Sequence, residues 1–520
     1  MRFKQRILVG LLSGLAAALT MTLVMLALRW VFGVPTPSEM FGDRMVPTYS
    51  AGEFLGLLER LGGYNRAKQL GVTSVLGGQL AVGIISGAIY SMLRSASVSR
   101  NGRTSSSRAF AGSAFLVTLV IAFWIASILF LEPVLNVSFA GLPPSRAKVA
   151  TEIGLAVSYI TYAGTLALMY RWMSGRIETT GSVTKPGRRI VVAAGMAAGL
   201  GAILVFALQR FYRVATFSYD GTQYIGPEVE PITPNNRFYT VTKNIVDPAV
   251  DRSFWRFQVA GLVDHPRMYN YEALSQFETV TQEATLMCIS NWVGGGLMSN
   301  AVWEGLRLRD LLLASGPREG VVEVMFRSVD GYADTISFDR AMEPTTLVAF
   351  RMNGEPLPRT HGYPARIIVP GMFGEKNVKW VTRVELVDYD AKGFYEQQGW
   401  GPNFSVPTRS RFDFPYYDQT IKFTRVVELK GIAFGGDRGV SKVEVSVDGG
   451  KEWRPARVDY PGTRLSWALW SVDWNPPAPG VYSLVVRSTD GKGELQSAVD
   501  RGTVPEGATG LHRVKLTIET

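Results

Sequence analysis

The chain contains a single cysteine, Cys288, and the surrounding sequence suggests that its thiol binds a metal. It stands in the run Glu283-Ala-Thr-Leu-Met-Cys288-Ile-Ser-Asn291-Trp292. Thiolate sulfur is a soft ligand and suits a high-valent metal that is coordinated by sulfur. A lone thiol is nevertheless more often a small buried apolar side chain, so the metal hypothesis depends on residues elsewhere in the chain.

A group of basic residues downstream could hold an anionic ligand. Its members lie within about 20 residues of one another and are His361, Arg366, Lys376 and Lys379. Prolines and glycines between them fix the shape of the intervening loops. Fixed cations around a cleft bind an anionic group such as a phosphate. The pattern therefore predicts a cleft for an anionic ligand.

Three blocks of sequence occur in a fixed order. They are Thr233-Pro-Asn235-Asn236-Arg237-Phe-Tyr239, the Cys288 run followed by Trp303, and the segment from Gly331-Tyr332 through Met352-Asn-Gly-Glu-Pro-Leu-Pro358 and His361 to Trp380. In order and spacing these blocks resemble the sulfite oxidase family of molybdopterin enzymes, and the resemblance extends from about residue 232 nearly to the C-terminus.

The resemblance implies a molybdenum–molybdopterin cofactor and a role for each matching residue. Cys288 is the expected molybdenum ligand, and Tyr332 and Trp303 are expected to line the substrate pocket. The expected cofactor-binding residues are Asn235, Asn236, Asp330, His361, Arg366, Lys376 and Lys379. Arg438, in the run Gly435-Gly-Asp-Arg438, matches an arginine that reaches the active site from the C-terminal domain.

Two departures from the family pattern concern the substrate. Sulfite-oxidising members have an arginine shortly after the cysteine, whereas Trp292 and Val293 follow Asn291 here. Loss of that guanidinium removes a bidentate partner for an oxyanion. Lys243 is the candidate replacement for the arginine of the entry loop. In these respects the chain resembles the bacterial periplasmic branch that contains methionine sulfoxide reductase, so both sulfite and a neutral sulfoxide stay open as substrates.

The first 210 residues are dominated by apolar segments. Five of them, at 7–33, 70–93, 109–131, 149–171 and 190–210, reach the length of about 20 residues that a bilayer requires. Arginines and lysines concentrate before the first segment and in the loops at 94–108 and 171–189. The positive-inside rule therefore predicts a cytoplasmic N-terminus and places residues 211–520 outside the cytoplasmic membrane. Anchoring and partner docking are the expected roles, with a quinone site or transport as alternatives.

Lys185-Pro-Gly-Arg188-Arg189 precedes the last apolar segment. Paired arginines before a mildly hydrophobic helix resemble a twin-arginine export signal, which carries folded domains that already contain their cofactor. Ordinary positive-inside charge is the alternative explanation for the same residues.

The small number of metal-binding side chains limits what electron carriers this chain can hold. Its three histidines, His265, His361 and His512, lie outside the apolar segments, which excludes a bis-histidine haem among those segments from this chain alone. One cysteine excludes an iron–sulfur cluster held by its own thiolates, and it excludes an intrachain disulfide. Electrons must then pass to or from a partner, either a cytochrome or a quinone.

Composition divides the chain into an apolar N-terminal part and a mixed remainder, and the family resemblance implies two domains within that remainder. Residues 1–213 are expected to form a membrane all-α domain of five helices, and residues 214–405 an α+β molybdopterin domain. Residues 406–520 alternate apolar and polar positions, as at Val443, Val445 and Val447, and resemble the family's all-β immunoglobulin-like dimerisation domain, which implies a possible homodimer. The net charge of +10 is dispersed or flanks apolar segments, so nucleic acid is not an expected partner.

The sequence thus predicts a membrane-anchored molybdenum oxidoreductase of the cell membrane, with its catalytic domain outside the cytoplasm. It would transfer an oxygen atom to or from a small substrate such as sulfite or a sulfoxide. The alternative is a membrane-tethered binding or assembly protein that has kept the fold and lost turnover. Cys288, Tyr332 and His361 argue against this alternative, because a scaffold has no need of a metal thiolate.

Overall fold

The computed structural model describes residues 3–95, 106–174, 187–214 and 223–520. The chain divides into two compact units. The helical unit comprises residues 1–46, 66–217 and 244–249, and the sheet unit comprises residues 47–65, 218–243 and 250–520. Each unit is therefore assembled from segments that are not continuous in sequence.

Long apolar helices form the helical unit. The helices of the N-terminal half are α1 (Phe3–Phe32), α2 (Pro37–Met45), α3 (Ala51–Arg60), α4 (Tyr64–Ser95), α5 (Ser106–Leu131), α6 (Pro144–Ser174) and α7 (Gly187–Val214). In the described part of the chain, five stretches are long and apolar enough to cross a membrane, namely Lys4–Phe32, Asn65–Arg94, Phe110–Val134, Pro144–Ser174 and Val191–Arg210. The prediction of five apolar helices is confirmed.

The twin-arginine hypothesis is not tested by this structure. Lys185 lies outside the described residues, and Arg188 and Arg189 fall in the first turn of α7. The hypothesis stays a prediction.

Glycines allow α1 and α4 to pack closely. A Cβ atom at Gly14 would lie 2.5 Å from the carbonyl oxygen of Gly83, and one at Gly87 would collide with the backbone of Gly10. Small residues at such positions let helix backbones approach one another. The glycines of both helices therefore serve packing within this unit.

A buried arginine connects three parts of the helical unit. Arg29 Nε lies 3.0 Å from Glu39 Oε1, and both side chains are buried. The same guanidinium donates a hydrogen bond to the carbonyl oxygen of Val246 at 3.0 Å and lies over the ring of Phe139. The segment 244–249 is thereby fixed within the helical unit, a placement that the sequence analysis did not anticipate.

The first part of the sheet unit contains two sheets. Its strands are β1 (Phe257–Gly261), β2 (Arg267–Tyr269), β3 (Val280–Met287), β4 (Met298–Arg307), β5 (Glu323–Ser328), β6 (Ala333–Ser337), β7 (Leu347–Met352), β8 (Glu355–Pro356), β9 (Arg366–Ile368) and β10 (Val381–Val387). One sheet has the order β2-β1-β10-β5-β6, and the other has the order β3-β4-β7-β8 with β9 paired to β7. Three short helices, α8 (Tyr271–Leu274), α9 (Leu308–Ser315) and α10 (Phe338–Met342), complete this part.

The C-terminal part is all-β, as predicted. Its strands are β11 (Arg409–Phe414), β12 (Gln419–Lys422), β13 (Val427–Phe434), β14 (Val440–Ser446), β15 (Arg454–Pro455), β16 (Arg457–Tyr460), β17 (Ala468–Trp474), β18 (Gly480–Asp490) and β19 (His512–Glu519). They form a sheet of order β11-β13-β17-β16 and a second of order β12-β19-β18-β14-β15. Phe412, Trp470, Val486 and Leu516 share one buried core, which draws on both sheets.

Helix α3 belongs to the sheet unit although the sequence places it between apolar helices. Ser50 caps it, since its hydroxyl accepts from the Glu53 N–H while the Glu53 carboxylate accepts from the Ser50 N–H. Ala51 then packs in a core with Tyr224 and Trp467. The predicted domain boundaries at 213 and 405 stay predictions, and this exchange of segments between the units is an addition to them.

Candidate active site

A cavity of about 110 Å³ lies in the sheet unit. Its walls come from stretches that are distant in sequence, at residues 238–243, 286–289, 328–332, 361–366, 374–380 and 395–400. Cys288, Tyr332, His361, Arg366 and Lys379 all line it. The fold therefore brings together residues from all three of the sequence blocks identified above.

Cys288 follows the last residue of β3. Its N–H donates to the carbonyl oxygen of Leu297 at 3.0 Å, and its Sγ lies 3.0 Å from Ser290 Oγ. Burial, together with the nearby carboxyl of Glu375, raises the pKa of the Cys288 thiol to about 11. Among the residues that the structure describes, no three His, Cys, Asp or Glu side chains are grouped to hold a metal ion. A metal at Cys288 would therefore take most of its ligands from a bound cofactor.

His361 and Arg366 form a buried basic wall of the cavity. The carbonyl oxygen of Asn235 lies 2.9 Å from His361 Nε2, and a carbonyl can only accept, so Nε2 carries the proton. Burial, helped by the charges of Arg366 and Lys379, lowers the pKa of His361 to about 3. Burial also lowers the pKa of Arg366 to about 10, so this guanidinium is still charged at neutral pH.

Arg366 is held by backbone carbonyl groups. Its two terminal nitrogens donate to the carbonyl oxygens of His361 and Asn377, each at 3.1 Å. Its Nε is buried and has no hydrogen-bond partner among the described residues. Gly362 has a φ of 110°, and a Cβ there would press on Arg366 and Lys379 at 3.1 Å. The glycine thus permits both cations to lie at one wall.

Lys379 and Lys243 add two more cations to the cavity wall. Lys379 Nζ donates to the carbonyl oxygen of Thr360 at 3.1 Å, and Lys243 Nζ donates to that of Asp330 at 3.0 Å. Asp330 is itself buried and lines the cavity. Lys243, the candidate replacement for the entry-loop arginine, therefore lines the cavity, and its role stays a prediction.

Tyr332 is oriented by an acidic neighbour. Its hydroxyl donates to Asp334 Oδ2 at 2.6 Å and lies 3.1 Å from the carbonyl oxygen of Glu375. Burial, together with the charges of Asp334 and Tyr395, raises the pKa of Tyr332 well above its usual range. The phenol therefore keeps its proton at neutral pH.

Several predicted site residues do not line the cavity. Lys376 is one of them, and its Nζ bonds Asp334 Oδ1 at 2.7 Å and Glu396 Oε1 at 2.8 Å. Its assignment to the cofactor stays a prediction. Trp303 does not line the cavity either, and its role at the substrate stays a prediction. It is fully buried on β4, and its ring lies beneath the guanidinium of Arg366 at 5.1 Å.

Arg438 is also absent from the cavity lining, and its role at the active site stays a prediction. It is bound to Asp490, with Nε 2.7 Å from Oδ2, and donates to the carbonyl oxygen of Val406. The glycine-rich loop therefore directs this arginine into the C-terminal part and away from the cavity wall.

The two asparagines of the entry loop differ from each other. Asn235 acts one layer behind the cavity, because its carbonyl oxygen holds His361 and its side chain bonds Asn353 at 2.8 Å. Asn236 is exposed and does not line the cavity.

Glu375 and Tyr239 line the cavity and were missed from the sequence. Burial raises the pKa of the Glu375 carboxyl to about 8, and Asp334 adds to the shift. Burial, with Cys288 nearby, also raises the pKa of Tyr239 well above its usual range. Tyr239 stands in the entry-loop block, which could have identified it as a site residue. For Glu375 the only such signal in the sequence is its position beside Lys376.

Family models match most of the sheet unit. Residues 244–395 match the oxidoreductase molybdopterin binding domain, and residues 405–505 match the Mo-co oxidoreductase dimerisation domain. The crystal structure of the sulfane dehydrogenase SoxCD from Paracoccus pantotrophus has a similar fold, with a TM-score of 0.50 and 21% identity over 56% of this chain and 85% of that chain. This similarity bears on the fold alone.

Curated relatives include sulfite oxidases and nitrate reductases. Mitochondrial sulfite oxidase of Rattus norvegicus is 31% identical over 295 residues, which are 48% of this chain and 54% of that protein. The NADPH nitrate reductase of Fusarium oxysporum is 28% identical over 257 residues, which are 40% of this chain and 28% of that protein. The chain thus spans about half the length of the rat enzyme and less of the fungal one.

Sulfite oxidase of Gallus gallus is 31% identical over 312 residues, which are 51% of this chain and 68% of that protein. The resemblance inferred from the three sequence blocks is therefore confirmed. The chain belongs to the sulfite oxidase family of molybdopterin oxidoreductases, whose cofactor is molybdenum bound by molybdopterin.

Proposed function

We propose that this protein is a membrane-anchored molybdenum oxidoreductase that transfers an oxygen atom to or from a small substrate at the outer face of the cytoplasmic membrane. The observation that carries the proposal is the meeting of Cys288, Tyr332 and the cationic side chains of Arg366, Lys379 and Lys243 in one cavity. The buried guanidinium of Arg366, whose Nε has no hydrogen-bond partner among the described residues, would be stabilised by an anionic ligand such as the phosphate of a pterin cofactor.

The residues present fit this cofactor. Arg366 offers a buried Nε without a partner among the described residues, and His361 and Lys379 lie beside it. We assign these three side chains to the phosphate region of the cofactor and Cys288 to the metal. When bound, the cofactor supplies a metal that changes oxidation state and exchanges an oxygen atom with the substrate.

The remaining roles belong to neutral donors and to supporting residues. Tyr332 keeps its proton and is held by Asp334, so it can orient the substrate by hydrogen bonding. Asn235 fixes the ring of His361, and Trp303 supports the guanidinium of Arg366 from below. These contacts hold the cavity groups in position before a substrate arrives.

The substrate is proposed to be a small oxygen donor or acceptor such as sulfite or a sulfoxide. The relatives named above include enzymes whose names specify sulfite and nitrate. Two observations argue against an oxyanion as the substrate. Trp292, which is 59% exposed, stands after the cysteine run where sulfite-oxidising members have an arginine. Arg366 is the only arginine among the described residues that line the cavity. These features support the methionine sulfoxide reductase-like branch.

The five apolar helices support anchoring in the cell membrane. Basic residues flank them on the side that the positive-inside rule assigns to the cytoplasm, which puts the sheet unit outside. Electrons would pass to or from a cytochrome or a quinone, because one cysteine and three histidines cannot supply an iron–sulfur cluster with four thiolates or a chain of haems. The matched dimerisation domain supports a homodimer, with the C-terminal part as its immunoglobulin-like module.

Two measurements test this function. Purified full-length protein in detergent is assayed with sulfite, a sulfoxide and nitrate, each with an artificial electron donor or acceptor, beside the Cys288→Ala variant. We expect turnover of at least one substrate by the wild type and none by the variant. Protease added to intact spheroplasts should cut residues 223–520.

Either of two outcomes would contradict the proposal. Absence of turnover in both proteins, with no cellular effect of Cys288→Ala, would favour a membrane-tethered binding or assembly protein. Protection of residues 223–520 until the membrane is opened would place the catalytic half in the cytoplasm.

A further inference from the structure

A second cavity lies within the helical unit, among its long apolar helices. Its volume is about 170 Å³, and its lining residues come from α1, α4, α5 and α6, together with Pro37 at the start of α2. An apolar cavity of about 150 Å³ accommodates one benzene ring. The cavity in the helical unit is therefore large enough for a single six-membered ring.

This cavity reaches the outer surface of the helical unit. Val82 and Phe123 line it and are 46% and 36% exposed, and both lie within stretches that are apolar enough to cross a membrane. Much of the remaining wall is apolar and includes Met21, Met25 and Leu119. In the proposed membrane anchoring this surface faces the hydrocarbon of the bilayer, so a lipophilic molecule can enter the cavity from the side.

Gln79 presents an amide group to the cavity. Its Nε2 donates a hydrogen bond to Thr22 Oγ1 at 2.7 Å, and that hydroxyl donates in turn to the carbonyl oxygen of Ala18 at 2.8 Å. The second N–H of the Gln79 amide forms no hydrogen bond among the described residues. A polar group without a partner is costly in an apolar environment, so a ligand that accepts this N–H would stabilise it.

Tyr159 offers a second donor to the same cavity. Its hydroxyl oxygen lies 2.7 Å from Ser127 Oγ, and two hydroxyl groups that share one hydrogen bond leave one proton over. When Ser127 donates, Tyr159 keeps its proton for a ligand. The rings of Tyr159 and Phe123, with centroids 6.1 Å apart, both line the cavity. The site thus combines two hydrogen-bond donors with aromatic side chains that can pack against a planar ring.

We propose that this cavity binds the ring of a quinone and that the quinone is the electron partner of the enzyme. The carbonyl oxygens of the ring accept from Gln79 and Tyr159, and the apolar tail leaves past Val82 and Phe123 into the bilayer. The acyl chain of a phospholipid has no acceptor for these donors. The inference rests on the proposed function and deepens it, because it chooses between the two electron partners and gives the chosen one a site.

The electron balance of oxygen-atom transfer matches a quinone. A quinol loses two electrons and two protons when it becomes the quinone. With a sulfoxide as substrate, quinol and sulfoxide give quinone, sulfide and water. With sulfite as substrate, quinone, sulfite and water give quinol and sulfate. In either direction one quinone molecule serves one turnover.

The test compares a quinone with a molecule that lacks only the carbonyl oxygens. Binding of decylbenzoquinone and of decylbenzene to the full-length protein in detergent is measured by isothermal titration calorimetry, for the wild type, Gln79→Leu and Tyr159→Phe. The matched controls are Gln69→Leu on α4 and Tyr170→Phe on α6, because neither side chain lines the cavity. Molybdenum content and turnover, with an artificial electron carrier and with the quinone or its quinol, are measured on the same preparations.

We expect the wild type to bind the quinone at least about tenfold more tightly than decylbenzene, because only the quinone accepts hydrogen bonds. Gln79→Leu should weaken quinone binding about fivefold or more and Tyr159→Phe about threefold or more, since each removes one donor. Both variants should bind decylbenzene as the wild type does. The control variants should bind the quinone within about twofold of the wild type. Turnover that depends on the quinone or quinol should fall in the same order.

Equal affinity of the wild type for the two molecules would overturn the inference and make the cavity a site for lipid chains. Unchanged quinone affinity in Gln79→Leu and Tyr159→Phe would also overturn it, by placing the quinone elsewhere. If one of these variants does not fold, the other decides.

Failure of this inference is distinguishable from failure of the proposed function. A wild type that contains molybdenum and turns over with the artificial carrier, but neither binds the quinone nor exchanges electrons with it, would overturn this inference alone. A wild type that binds the quinone as expected but contains no molybdenum and turns over no substrate would support the site and remove the proposed function.

Discussion

Lys376 and Asp334 form a buried ion pair, with Lys376 Nζ 2.7 Å from Asp334 Oδ1 and both side chains at 2% exposure or less. Burial alone disfavours the charged amine, but Asp334 and Glu396 outweigh it and raise the pKa of Lys376. Asp334 also accepts a hydrogen bond from the Tyr332 hydroxyl, so the ion pair helps to orient Tyr332, which lines the cavity. Lys376 is thus a positioning residue.

The substitution Lys376→Met should destabilise the sheet unit strongly. It leaves the carboxylate of Asp334 buried without its cation, which costs about 3 kcal/mol or more. Thermal unfolding of the purified protein measures the loss. Lys392→Met is the control, because Lys392 pairs with Asp390 at an exposed position and should cost less than about 1 kcal/mol. If both variants lose the same free energy of unfolding, the buried ion pair contributes no more to stability than the exposed one.

The substitution Arg366→Gln should empty the enzyme of its cofactor while the protein stays folded. It removes the charged group at the basic wall, and loss of such a supporting contact lowers cofactor affinity by about tenfold or more. Molybdenum by mass spectrometry and pterin by fluorescence, per chain, measure the effect. Arg327→Gln, which removes an exposed partner of Glu385, should keep the wild-type content. Full cofactor in the Arg366 variant would contradict the assignment.

His512 should make stability depend on pH. Its Nδ1 accepts from the N–H of Phe412 at 3.0 Å, and burial, with the charges of Arg411 and Arg409, lowers its pKa from 6.5 to about 4. Between these values the unfolded chain binds a proton at this residue and the folded chain does not. The free energy of unfolding should therefore fall as the pH is lowered from 6.5 to about 4, by roughly 3 kcal/mol in total.

The substitution His512→Gln tests this pH dependence. Glutamine can still accept from Phe412 but does not titrate, so the variant should lose less stability than the wild type over this interval. Thermal unfolding at a series of pH values gives the comparison, and His265→Gln, at an exposed histidine, is the control. A variant with the same pH dependence as the wild type would show that His512 is not responsible.

The sequence predicted six of the residues that line the cavity, because the family blocks contain them. They are Cys288, Asp330, Tyr332, His361, Arg366 and Lys379. The five apolar helices were predictable for a different reason, since length and hydropathy alone identify them. These features are local in sequence or recur at fixed spacings.

The predicted residues that do not line the cavity are held by partners from distant segments. Lys376 and Glu375 are neighbours in one turn, yet Asp334 and Glu396 draw the lysine away while the glutamate lines the cavity. Arg438 was expected at the active site, but Asp490, which is 52 residues away in sequence, binds it. Spacing within a motif cannot reveal such partners.

The sequence also did not predict which unit two of the segments join. Helix α3 and residues 244–249 join the unit opposite to the one that their sequence neighbours suggest. For residues 244–249 the cause is Arg29, which donates to the carbonyl oxygen of Val246 from more than two hundred residues earlier, a separation of 217. Every residue has a backbone carbonyl group, so residue types do not reveal which carbonyl accepts such a hydrogen bond.

The central claim is that Cys288 and the basic wall hold a molybdenum–pterin cofactor. The most direct test is the molybdenum and pterin content of the full-length protein, purified from a host that makes the cofactor, beside Cys288→Ser and Arg438→Gln. The account predicts about one molybdenum and one pterin per chain for the wild type and for Arg438→Gln, and loss of bound molybdenum in Cys288→Ser, because the serine oxygen is a poor substitute for thiolate sulfur. A folded wild-type protein that repeatedly contains neither molybdenum nor pterin would contradict it.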